Sequence, residues 1–146
     1  MNSKARNILA LALGIALFPP IWAVAAPYLG VKCGAVALIC AGVYVAGRGT
    51  VKDGLKTMIG FWCGDFWAVL ALRVMSTLSW NENVELYMTL AVFGFLAVII
   101  ASLLDQYIYL PAWLSGWAIG LSLMSPELLR ADKTLPLQIA AAMAVG

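Results

Sequence analysis

Thr57-Met58-Ile59-Gly60-Phe61-Trp62-Cys63-Gly64-Asp65-Phe66-Trp67-Ala68-Val69-Leu70-Ala71-Leu72-Arg73-Val74-Met75-Ser76-Thr77-Leu78 is the stretch on which the reading of this chain turns. It is apolar over the length of a bilayer crossing, which takes about 20 residues. It nevertheless carries a carboxylate near its middle and an arginine two turns further on. An ionised carboxylate at that depth costs at least ~2.5 kcal/mol on insertion scales. Asp65 therefore has to face a watery cavity, meet a polar partner or stay protonated.

The rest of the chain is as apolar as this stretch. Of 146 residues, 64% are hydrophobic and 11% charged, with a mean hydropathy of +0.95. Soluble domains are about half apolar and a quarter charged, so a water-soluble globular fold is excluded. The expected class is all-α, a polytopic transmembrane bundle of about six spans forming one domain over 1–146. Asn7 to Val31 forms the first span. It follows Lys4 and Arg6, and Ala23-Val24-Ala25 resembles a signal cleavage site, but the apolar run is long for a signal peptide. Lys32 to Ala46 forms the second span, Thr57 to Leu78 the third and Glu85 to Leu104 the fourth. Tyr107 to Met124 forms the fifth, and Leu135 to Gly146 begins a sixth that is short for a full crossing.

Lysine and arginine in short loops set orientation. With the N-terminus in the cytoplasm, Lys4, Arg6, Arg48, Lys52 and Lys56 fall inside. Lys32, Arg130 and Lys133 fall outside, together with Glu82 and Glu85. That balance favours a cytoplasmic N-terminus.

A sparse internal repeat overlies these spans. Tyr28-Leu29-Gly30 and Tyr109-Leu110-Pro111 are 81 residues apart, and so are Lys52 and Lys133. Gly34-Ala35-Val36-Ala37 resembles Gly116-Trp117-Ala118-Ile119 at an offset of 82. Units of three spans, 1–80 and 81–146, would be inverted relative to each other, since an odd unit reverses direction. The second and fifth spans would then correspond. Each opens on a helix-interrupting residue, Gly30 or Pro111, and paired interrupted segments point to a permeation site. The plainer alternative is that Gly and Pro are common in membrane helices and that Pro111 occupies a tolerated first turn.

Several chemistries are ruled out by composition. The chain has no histidine, which removes imidazole shuttles, Ser-His triads and His-based metal sites. Cys33, Cys40 and Cys63 include no Cys-x-x-Cys pair, and Cys33 and Cys40 on one helix would lie about 10 Å apart, too far to bridge. No phosphate-binding loop occurs, no cofactor or metal is implied, and an enzyme is not expected. Scattered basic residues and a net charge of +2 give no nucleic-acid surface.

The candidate lining of a solute path is Asp65 with Trp62, Trp67, Trp117, Pro111 and Gly30. Trp22, Trp80 and Trp113 fit interfacial anchors by position. Arg73, about 12 Å along the axis from Asp65, is expected to pair with Glu82 or Glu85 at the outer rim. The spacings Gly30-x-x-x-Gly34 and Gly116-x-x-x-Gly120 let helix backbones approach, within a protomer or between protomers. The leading expectation is a passive channel or facilitator for a small, mostly uncharged solute, built as a homo-oligomer such as a trimer. The alternatives are a proton-coupled transporter using Asp65 and a non-transporting subunit of a larger membrane complex.

Gly54-Leu55-Lys56, Phe66-Trp67-Ala68, Leu110-Pro111-Ala112-Trp113 and Leu135-Pro136 together carry a resemblance over most of the chain. With these segments it resembles the small bacterial inner-membrane proteins grouped as domain of unknown function 1097. The resemblance implies a multi-pass inner-membrane location and a C-terminal end longer than the one here. It implies no activity and no functional residue.

Overall fold

The computed structural model describes residues 24–30, 36–47 and 50–146, with single positions at 6, 13, 14, 17, 20–22 and 33. Most of the first expected span, Lys32, Gly34 and Arg48 lie outside the described residues. Every regular element among the described residues is helical. A single 3-10 turn, Ala26–Leu29, closes on Gly30, whose φ of 78° is left-handed and costs glycine little. Six α-helices follow: α1 Val36–Ala46, α2 Val51–Thr77, α3 Glu82–Leu103, α4 Leu110–Leu123, α5 Pro126–Ala131 and α6 Leu135–Val145.

Two helices, α2 and α3, are long and apolar enough to cross a membrane, while α1, α4 and α6 are shorter apolar helices. At 1.5 Å per residue, α2 reaches about 40 Å and α3 about 33 Å, against about 21 Å for α4.

Helix ends account for the differences from the expected boundaries. Helix α2 starts six residues before Thr57, at Val51, because Thr50 caps it: its Oγ1 accepts from the Asp53 N–H at 3.2 Å and donates to Asp53 Oδ2 at 2.6 Å. Such a cap satisfies backbone donors that a helix start leaves open, and it carries Lys52 and Lys56 into the first turns. Helix α3 begins at Glu82, where Asn81 Oδ1 accepts from the Asn83 N–H and two acids face the positive helix end. The expected fifth span shortens to α4, with Pro111 in its first turn. Pro111 starts this helix and does not interrupt it, the plainer of the two readings. The polar segment from Pro126 to Lys133 contains the short helix α5, capped by Ser125 Oγ.

Contacts fix the directions. Positions 60, 64 and 68 of α2 meet 112, 116 and 120 of α4 in that order, so the two helices run parallel. Helix α3 lies between them in sequence and runs the other way, returning through a link where Lys56 Nζ donates to the Asp105 carbonyl at 3.1 Å. Gly54 lies against Tyr44, and the Trp62 indole reaches Ala140. Helices α1 and α6 are therefore both antiparallel to α2 and parallel to each other. Gly146, just beyond α6, packs directly on the Ala37 backbone of α1. The result is a tightly packed parallel pair, α2 with α4, and a second parallel pair, α1 with α6, that runs in the opposite direction and meets closely where the end of α6 reaches the start of α1.

The main core gathers Cys40, Phe61, Ala68, Leu72, Trp117, Ile139 and Met143. Helix α3 contributes little to it. Its buried positions, Glu85, Thr89, Ala97 and Ala101, fall on one i, i+4 row, and large apolar side chains such as Tyr87, Phe95 and Leu103 stay exposed.

Candidate functional site at the glycine seam

Small residues repeat every fourth position on both sides of the α2–α4 contact: Gly60, Gly64 and Ala68 face Ala112, Gly116 and Gly120. A Cβ on Gly64 would run into the Trp113 carbonyl oxygen and lie 2.5 Å from the Trp117 nitrogen. One on Gly116 would lie 2.5 Å from the Phe61 carbonyl oxygen. Backbones pack here with no side chain between them, as small-residue spacings allow in membrane helices.

Asp65 is carried into this seam by its neighbour Gly64. Its side chain is 5% exposed, and its Oδ1 has no hydrogen-bond partner among the described residues. A Cβ at Gly120 would come within 3.6 Å of that oxygen. Buried polar atoms are normally satisfied, and each exception calls for an explanation. Two more exceptions lie on α4, the indole nitrogens of Trp113 and Trp117, both buried and unpartnered among the described residues.

On the far side of α4 from α3, an apolar cavity of about 570 Å³ opens between α1 and α4. Cys33, Ser115 and Ser122 bring polar atoms to a wall otherwise made of residues such as Val36 and Ile119. Asp65 does not line it. The carboxylate lies within electrostatic reach of the Cys33 thiol, one of the groups that line the cavity. Ser122 Oγ donates to the Ala118 carbonyl at 2.8 Å and keeps its acceptor capacity.

The tryptophans divide between two faces of α2. Trp67 donates its indole N–H to the Phe93 carbonyl at 3.1 Å and stacks near Phe93 and Trp113, with ring centroids 5.1 and 5.4 Å apart. Phe93 in turn lies 6.5 Å from Trp117. These four rings form a cushion that seats α3 on the α2–α4 pair. Trp62 is on the other face, 43% exposed, and its N–H donates to the Ala140 carbonyl of α6 at 3.1 Å. Trp113 is buried within the cushion and is not the interfacial anchor its position implied.

Of the expected lining residues, Asp65, Trp67 and Trp117 converge on the α2–α4 pair. Trp62 holds α6, while Gly30 and Pro111 are exposed. Among the described residues Arg73 forms no ion pair with Glu82 or Glu85, and Glu85 is buried in its own right. All three cysteines are free, and no group of metal-ligating side chains occurs among the described residues. The residues that sequence reasoning passed over are Gly60 and Gly64. Their signal was available as Gly60-x-x-x-Gly64-x-x-x-Ala68, the counterpart of the Gly116-x-x-x-Gly120 spacing that was noticed.

An all-helical chain with two bilayer-length apolar helices, a glycine-packed helix pair and a buried carboxyl between them has the character of a membrane protein. Its family is known: the chain belongs to the proteins of unknown function DUF1097, whose model matches residues 12–146. Neither a curated protein nor a solved structure matches it.

Proposed function

We propose that this chain is a multi-pass protein of the bacterial inner membrane, with a cytoplasmic N-terminus, that lets a small, mostly uncharged solute cross passively. Six spans in an inverted 3+3 arrangement, assembled as a homo-oligomer such as a trimer, make up the working unit. The opposite-running parallel pairs, α2 with α4 and α1 with α6, support the inverted repeat. A pseudo-two-fold axis in the membrane plane would relate such pairs.

The observation that carries the transport reading is Asp65. A carboxyl nine-tenths buried at mid-helix, with one oxygen unpartnered among the described residues, is costly when ionised unless a mobile species shares the site. The cavity between α1 and α4, with thiol and hydroxyl groups on an apolar wall, suits a small solute with one or two hydrogen-bonding groups. The experiment is the stopped-flow osmotic response of proteoliposomes to a panel of small neutral solutes, beside empty liposomes. Fast, solute-selective swelling that Asp65→Asn slows is the expected result. Swelling no faster than in empty vesicles sinks the reading, and unchanged flux in Asp65→Asn removes Asp65 from it.

The same unpartnered oxygen favours a second reading, in which Asp65 carries a proton coupled to solute movement. Uphill accumulation driven by a pH gradient, abolished in Asp65→Asn, would distinguish it from passive flux.

A further inference from the structure

At the end of the bundle opposite Lys52 and Lys56, a cavity of about 350 Å³ opens between the last turns of α2, helix α5 and the start of α6. Three cations line it, each from a different element: Arg73 from α2, Arg130 from α5 and Lys133 from the link to α6. They are 57 residues or more apart from the first to the others and come together only through the fold. No carboxylate lines the cavity, and among the described residues none of the three cations is held in an ion pair.

Two acids are close by, and each takes hydrogen bonds of its own. Glu127 lies within electrostatic reach of Arg130, but its carboxylate takes hydrogen bonds from its own backbone N–H and from Ser125. Asp132 Oδ1 accepts from the Thr134 N–H and hydroxyl, and its Oδ2 from Gln138 Nε2. The floor of the cavity is apolar, formed in part by Val69 and Leu72, while Ser76 supplies a hydroxyl at the rim. Ser76 Oγ donates to the Arg73 carbonyl at 2.8 Å and can still accept.

We propose that this cavity binds a phosphate-bearing anion with a small glycerol-like body, its oxygens shared by Arg73, Arg130 and Lys133. Two guanidinium forks and one ammonium suit an acceptor with several charged oxygens better than a single carboxylate. The volume holds a phosphate together with a glycerol-sized body, and the Val69–Leu72 floor takes the apolar side. Two sources share this chemistry, a soluble phosphate ester and the headgroup of an anionic phospholipid. The site does not depend on Asp65 or on the proposed solute path.

The test uses the full chain in phosphatidylcholine nanodiscs and two probes. Glycerol 3-phosphate is titrated by calorimetry, and nanodiscs containing phosphatidylglycerol are assayed for lipid retained on the protein by native mass spectrometry. The triple variant Arg73→Gln, Arg130→Gln, Lys133→Gln is compared with Lys52→Gln, Lys56→Gln at the opposite end. All five side chains are on the surface or half-buried, so neither variant disturbs the core. Binding about tenfold or more weaker in the triple variant alone is expected, since several charge-assisted bonds are lost together. Loss in the calorimetric arm identifies a soluble ester, and loss in the mass-spectrometric arm a lipid headgroup. Failure of both probes to bind, or equal weakening by the two variants, overturns the proposal.

Discussion

Helix α2 meets α4 through backbone and meets α3 through rings, and the two contacts differ in what they tolerate. At the α2–α4 seam the nearest atoms to a Cβ on Gly64 or Gly116 are main-chain atoms, which cannot swing away. Where α3 rests on the rings of the α2–α4 pair, a Cβ on Gly94 would find only Trp117 of α4, Cζ3 at 3.7 Å and Cη2 at 3.9 Å, ordinary packing distances. The same residue type is thus indispensable in one interface and replaceable in the other. Proximity of the partner backbone decides which.

That contrast is most open to attack at Gly64. Gly64→Ala forces the α2–α4 pair apart and is expected to cost about 3 kcal/mol or more, at the top of the range for overpacked sites. Thermal unfolding of the detergent-solubilised protein, followed by size exclusion, checks this. A variant as stable as the parent would mean the seam is not as close as described. Gly94→Ala should move stability the other way, by up to about 1 kcal/mol, because alanine is the better helix former and the space is free. If Gly64→Ala and Gly94→Ala unfold at one temperature, the distinction between the two interfaces fails.

A smaller effect is expected from Trp67→Phe. It keeps an aromatic ring beside Phe93 and Trp113 but removes the bond to the Phe93 carbonyl. Hydrogen bonds between membrane helices average about 0.6 kcal/mol. The loss should appear as faster proteolysis or hydrogen exchange in α3 while the α2–α4 seam stays protected. Loosening of both regions together would show that the cushion also supports the seam.

The smallest effect is outside the spans. Hydrogen bonds from its own backbone N–H and from Ser125 hold the Glu127 carboxyl below the ordinary glutamate range, with Arg130 adding to the shift. An acid titrating lower in the fold than in the unfolded chain stabilises the fold above its unfolded pKa. That contribution fades as pH falls through the lowered value. Ser125→Ala removes one of these bonds and the α5 cap, so Glu127 should titrate higher in a carboxyl NMR titration. An unmoved titration would leave the backbone bond and Arg130 as the whole cause.

Much of the fold was legible in sequence because membrane helices announce themselves by length and apolarity. The α2 and α3 segments were readable as helices long and apolar enough to cross a membrane, and Asp65 stood out as a carboxylate within one of them. The α2 start was misplaced because Lys52, Asp53 and Lys56 look like a loop, whereas the Thr50–Asp53 cap pulls them into helix. Pro111 looked like an interruption, and only the actual first turn of α4 shows that it starts the helix. In the candidate site, Trp62 and Trp67 are five residues apart on one helix and read alike. Their different partners, Ala140 and Phe93, come from separate helices and leave no local trace.

By itself the sequence determined the class: an apolar, histidine-free chain with helices long and apolar enough to cross a membrane, since water offers no stable home for so much apolar surface. It also singled out Asp65, a carboxylate near the middle of an apolar stretch long enough to cross a membrane. Only the tertiary structure decided that α2 and α4 run parallel with their glycines interlocked. It alone buried Asp65 with its Oδ1 unpartnered among the described residues, and it alone gathered Arg73, Arg130 and Lys133 around one opening. Such juxtapositions join positions far apart in the chain, and they depend on which helix faces pack together, a property that residue spacing within one helix does not contain.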